Sequence, residues 1–186
     1  MEKLIKVWVE LITTFQKDID DIPAKIKSAV ITELNKVGFI AQENLADVIS
    51  AKVAEMSMAC NLMILNGIDV QLADGNTYHF SLDITDQTMI MKLNERAVAG
   101  NEFLPWHWDN GSCHIFSAED IIAINTQMEN YITFHTTYFN SLRDYIKSLT
   151  DIEDVMAIEY GVEIPVEYQS EVLKILYQQM NPETSD

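Results

Sequence analysis

One stretch of the 186-residue chain constrains the fold more than any other. Residues 117–149 place Ile121, Ile124, Met128, Tyr131, Ile132, His135, Tyr138, Phe139, Leu142, Tyr145, Ile146 and Leu149 at spacings of three and four. Sustained over about four heptads, this spacing draws one apolar stripe along a single long helix. Ser117 and Asp120 stand at the spacing of a capping box and mark its start. At about 1.5 Å per residue the helix is roughly 50 Å long, whereas a compact domain of this size is about 30 to 35 Å across. The stripe is therefore expected to overhang, and to need another long helix from this chain or from a second copy.

The rest of the chain alternates between helical and strand periods. Leu4, Trp8, Leu11, Phe15 and Ile19 line one face of an amphipathic helix over residues 3–19, and Ile26, Val30, Leu34 and Val37 line another that opens at Pro23. A third helix, from about Gln42 to Leu65, carries Leu45, Val48, Ile49, Val53, Met56, Cys60 and Met63. After Asn66-Gly67 the period changes to two. Ile68, Val70 and Leu72, the Asp74-Gly75 turn, and Tyr78, Phe80 and Leu82 predict a β-hairpin. A helix to about Ala99 follows, closed by Gly100. Aromatic runs on either side of Asp109-Asn110-Gly111 predict a second hairpin, and Thr150 with Glu153 predicts a capped short helix. Pro165 opens a last helix with Tyr168, Val172, Leu176 and Met180 in line. The pattern predicts an α+β, mainly α fold, with a helical segment over 1–50, an α+β domain over 51–180 and a frayed tail at 181–186.

Charge narrows the partners. Residues 1–60 carry seven lysines against nine acids, while residues 61–186 carry five basic residues against twenty acids. The formal net charge of -17 repels phosphate, so neither nucleic acid nor an anionic membrane is an expected partner. The first helix mixes lysines and acids, which disfavours a membrane anchor. Two cysteines, Cys60 and Cys113, are too few for a disulfide framework.

Candidate chemistry is sparse. His107, Asp109, Cys113 and His114 flank one turn, with His79 and Cys60 elsewhere. Zinc accepts such ligands, yet the spacing fits no ribbon or finger, and adjacent Cys113 and His114 point to opposite faces of a strand. Cys113 lacks an oxyanion signature beside it. His135 lies on the apolar stripe, where a hydrogen-bonded core histidine or an interface histidine is expected. No glycine-rich phosphate loop or calcium loop occurs. The residues predict no catalytic site, no metal and no cofactor, and a chain that is not an enzyme.

Several stretches together resemble a domain encoded among the tail and baseplate genes of tailed bacteriophages and prophages of gut-dwelling Gram-positive bacteria. They are Ala54-Glu55-Met56-Ser57 with Cys60, Gly67-Ile68-Asp69-Val70, Phe80-Ser81-Leu82 with Asp86-Gln87, Pro105-Trp106-His107 with Asp109 and Gly111, Phe116-Ser117-Ala118, His135 to Asn140, and Ile158 to Gly161 through Pro165 to Ser170. The resemblance covers residues 50–180. It implies a non-catalytic part of a phage tail or tail-like particle, at the baseplate or fibre attachment, in contact with other tail proteins. Residues 1–50 lie outside it and are expected to attach or oligomerise the chain as a trimer or dimer, with Leu4, Trp8, Leu11, Phe15, Ile19, Ile26, Val30 and Leu34 as interface residues. The expected location is the virion tail, reached through the host cytoplasm during assembly. A cytosolic assembly chaperone for a fibre or baseplate protein is the alternative.

Overall fold

A computed structural model describes residues 2–15, 21–36 and 45–180. Helices α1 (Glu2–Phe15), α2 (Ala24–Lys36) and α3 (Leu45–Asn66) are followed by strands β1 (Ile68–Gln71) and β2 (Thr77–Phe80). Helix α4 (Ile84–Val98), strands β3 (Pro105–Trp106) and β4 (His114–Ile115), and the long α5 (Ala118–Ser148) come next. A short α6 (Ile152–Met156), a 3-10 turn at Val166–Tyr168 and α7 (Glu171–Met180) complete the described part. The fold is α+β and mainly α. The chain divides into units of residues 1–44 and 45–186, ahead of the boundary expected after residue 50, because α3 is unbroken from Leu45.

In the first unit α1 packs on α2. Ile12, Ile22, Ile26, Val30 and Leu34 are buried together, with Ile5, Trp8 and Val9 against them.

The second unit is built on α5, and here the expected overhang does not occur. The stripe of α5 is buried from Ile121 to Ile146, by two different groups of elements. Toward its N-terminus, Ile121, Ile124 and Met128 meet Ile90, Leu93 and Ala97 of α4, together with Val70 and Phe80 of the first hairpin. Toward its C-terminus, Tyr138, Leu142 and Ile146 meet Met56 of α3, Val155 of α6, Ile158, Ile164 and Leu173 of α7. A helix of 31 residues, about 46 Å long, thus serves two cores in succession. Each fully buried aliphatic side chain stabilises the arrangement by about 1.5–3 kcal/mol.

Local signals explain where elements stop. Ser117 accepts from the Asp120 amide at 3.0 Å, as the capping box predicts. The expected cap at Thr150 shifts by one residue: Asp151 accepts from the Glu153 amide at 2.8 Å, and a carboxylate is the stronger acceptor at a helix start. Helix α4 ends with the Asn101 amide on the Arg96 carbonyl and the Gly100 amide on the Ala97 carbonyl, a Schellman pairing that needs the positive φ of Gly100. Pro165 opens the 3-10 turn, and α7 starts later, where the Ser170 hydroxyl accepts from the Leu173 amide at 3.1 Å. The two β-sheets are separate antiparallel pairs, Ile68 opposite Phe80 and Pro105 opposite Ile115. The second is only two residues long on each side, because residues 107–113 fold as an aromatic loop instead of extending the ladder.

Two positions tie these parts together. Gly67, with φ of 93°, lets α3 turn into β1 against the backbone of β2; a Cβ there would stand 2.0 Å from the Phe80 carbonyl oxygen. Gly67→Ala should therefore lower the unfolding free energy by about 3 kcal/mol or more, read from urea denaturation, through left-handed strain plus a clash that no rotamer relieves. The Tyr138 hydroxyl donates to the Val162 carbonyl at 2.7 Å and accepts from the Gly161 amide at 3.0 Å. Tyr138→Phe should cost about 1–3 kcal/mol in the same measurement, because two partly buried backbone groups lose their partner.

Candidate functional site

The side chains singled out as an interface divide by use. Ile26, Val30 and Leu34 are buried within the helical pair α1–α2, so they hold this chain's own hairpin rather than offering a free face. Trp8 and Leu11 are half-buried, and Leu4 is exposed. The side chain of Phe15 and the whole of Ile19 lie outside the described residues.

The residues around the second hairpin assemble an aromatic plaque. Trp108 stacks on the His114 ring at 4.4 Å, lies 4.4 Å from Tyr78, and meets Phe116 edge-on at 6.2 Å. His107 stacks on Trp106 at 4.9 Å. Cys113 is exposed. The turn therefore directs both histidines onto indole faces, not toward Cys113. Among the described residues no three His, Cys, Asp or Glu side chains converge to hold a metal ion.

Asp109 staples the two hairpins. Its amide donates to the His79 carbonyl at 2.9 Å, and its Oδ1 accepts from the Ser81 amide and hydroxyl, both at 3.0 Å. His79 sits beside it as a cationic clamp. Its Nδ1 is 2.7 Å from Asp69 Oδ1 across the strand pair, and its Nε2 is 2.7 Å from the Asn66 carbonyl oxygen at the end of α3. Both partners only accept, so the imidazolium, with two N–H donors, is the form that satisfies both. The Asp69 carboxylate accordingly raises the pKa of His79, with burial opposing and the Asn66 carbonyl and Asp109 adding to the rise. Neither ring nitrogen is free to act as a base toward Ser81. Burial, reinforced by Asp83, raises the pKa of the nearby Asp86, whose Oδ2 lies 3.3 Å from the Ser81 hydroxyl oxygen.

A second polar cluster lies between α3 and α5. The buried His135 has Nδ1 3.1 Å from the Tyr160 hydroxyl, and its carbonyl accepts from the Cys60 thiol at 3.4 Å. Burial pushes the imidazole pKa down and the thiol and Tyr160 phenol up. All three are thereby held neutral, which suits core hydrogen bonding and not nucleophilic attack. Burial also pushes the Tyr138 phenol up to about 12. Beside His135 an open groove of about 820 Å³ runs between Gly67–Asp69, the Gln127–His135 stretch of α5 and Met180.

The surface that stands out is the outer side of α3. Met56 and Cys60 face inward, while Met58 is 66% and Leu62 64% exposed, with Leu65 also exposed. Among the described helices only α3 is long and apolar enough to cross a membrane, with a mean hydropathy of 1.5. Of the stripe expected on α3, Met56 and Cys60 are buried and Met63 is exposed. The outer stripe was legible in Ala51, Met58 and Leu65 at intervals of seven, and in the absence of charge between Glu55 and Asp69.

The fold is α+β and mainly helical, the charged clusters described above close on themselves, and the outer face of α3 is left apolar and exposed. The chain belongs to the family described as "Domain of unknown function (DUF4376)", whose model matches residues 47–160. No curated protein and no solved structure matches the chain.

The clamp at His79 titrates. Its folded-state pKa lies above 6.5, so its contribution to stability is complete below pH 6.5 and is lost as pH rises through the folded value. Ring-proton NMR should place the His79 pKa above 6.5, and Asp69→Asn should bring it back down. His79→Gln should destabilise the chain more at about pH 5.5 than at about pH 8.5, since only the protonated ring holds both partners.

Proposed function

We propose that this chain is a non-catalytic structural component of a phage tail or phage-tail-like particle, at the baseplate or fibre-attachment region, acting through contacts with other tail proteins and with copies of itself. The observation that carries the contact role is the bare apolar face of α3 on an acidic protein. Exposed apolar surface of this kind marks an interaction site, and every titratable cluster beside it is engaged in holding hairpins and core together. The particle rests on the resemblance of residues 50–180 to tail-gene products. Helix α1 adds a second apolar edge, Leu4 and Val7, to the pair it forms with α2.

On this reading the protein resides in the virion tail, passes through the host cytoplasm during assembly, and requires neither cofactor nor nucleic acid. Mass spectrometry of purified particles tests it. The chain should be present at a fixed copy number in the tail fraction. Its absence from finished particles, together with its abundance in the infected cytosol bound to an immature fibre or baseplate protein, would overturn the structural role and make it an assembly chaperone.

A further inference from the structure

We propose that the outer face of α3 pairs antiparallel with α3 of a second copy of this chain. Ala51, Ala54, Met58, Asn61 and Leu65 recur with alternating intervals of three and four, the seam of a two-helix coiled coil, and Leu62 borders them. All are exposed, on the side of α3 opposite the buried Met56 and Cys60. The spacing therefore fits another helix.

Charge selects a copy of the same chain. A basic partner would be drawn by the acids of the -17 surface, yet residues 56–68 carry no charge for it to meet. A two-fold contact, by contrast, requires a face that tolerates its own image, and an uncharged face does. Glu55, at the edge, is already paired with Lys52 at 2.8 Å.

Charge and volume together select the direction. A parallel, in-register pair would set Asp47 of each copy against its twin on the same seam, one turn before Ala51. It would also oppose alanine to alanine at one end and leucine to leucine at the other. Run antiparallel, Ala54 faces Leu65 of the second copy and Met58 faces Asn61 of the second copy, so that small meets large in every layer. Asp47 then lies beyond the partner helix's end. The four layers form a short interface, at the lower end of those that hold, so the dimer should dissociate in the micromolar range.

This inference deepens the oligomeric part of the reading above and makes no claim about a particle, so the two fail separately. Sedimentation of the full chain should show a monomer–dimer equilibrium. Met58→Glu and Leu62→Glu replace side chains that one copy leaves exposed; each should keep the wild-type circular dichroism and weaken the dimer by roughly a hundredfold or more, because two carboxylates enter a dry contact. Direction is read by disulfide trapping in a Cys113→Ser background, Cys60 being buried. A mixture of Ala54→Cys and Leu65→Cys chains should cross-link, and neither alone should. A full chain that stays monomeric at its solubility limit, glutamate variants with unchanged mass, or Ala54→Cys chains that link to themselves would each overturn the pairing. So would a monomer that floats with neutral phosphatidylcholine vesicles, which would give the face to lipid.

Discussion

The fold of residues 45–180 depends on covering α5 along its whole length. A helix of about 46 Å cannot bury its stripe in one core of ordinary thickness. The chain meets this with two groups of partners that share only the spine. The hairpins and α4 close over the first half; α3, α6 and α7 close over the second. That division explains why the connections are short and strongly specified. Each turn must deliver its element to a fixed side of α5, as Gly67 does where α3 gives way to β1.

Where the two cores meet, the stripe changes character. Tyr131 donates to the Met63 carbonyl at 3.0 Å, and His135 meets the Tyr160 hydroxyl, so aromatic side chains with polar tips occupy the junction. An aliphatic residue in place of Tyr131 would pack against the α3 terminus but take away the hydroxyl that donates to the Met63 carbonyl. The polar tips therefore follow from the geometry of a helix end lying against a helix middle. They also account for a buried histidine without assigning it any reaction.

Much of this was legible in the sequence. The two helical periods, the Asp74-Gly75 hairpin and the Ser117 cap all rest on local chemistry, and local chemistry survives folding. What was not legible depended on which residues come together over long distances. The expected overhang does not occur because the chain itself supplies the other long helix, α3, and the hairpins and α4 cover what α3 does not. In the sequence His79 is a candidate ligand standing apart from the turn that holds the others. Its role appears only when Asn66, at the end of α3, and Asp69, across the strand pair, converge on its two nitrogens. Asp109 read as a turn former and is one, but its carboxylate also reaches Ser81 in the other hairpin.

The same asymmetry governs α3. Its inner stripe is demanded by α5, and any sequence folding this way would need one. Among the described residues nothing packs over the outer stripe, whereas charge is the usual surface choice, and residues 61–186 carry twenty acids. Leaving Met58, Leu62 and Leu65 bare costs solubility without helping the fold. A stripe that the described core does not require, and that solubility opposes, is the ground on which the proposed contact between copies rests.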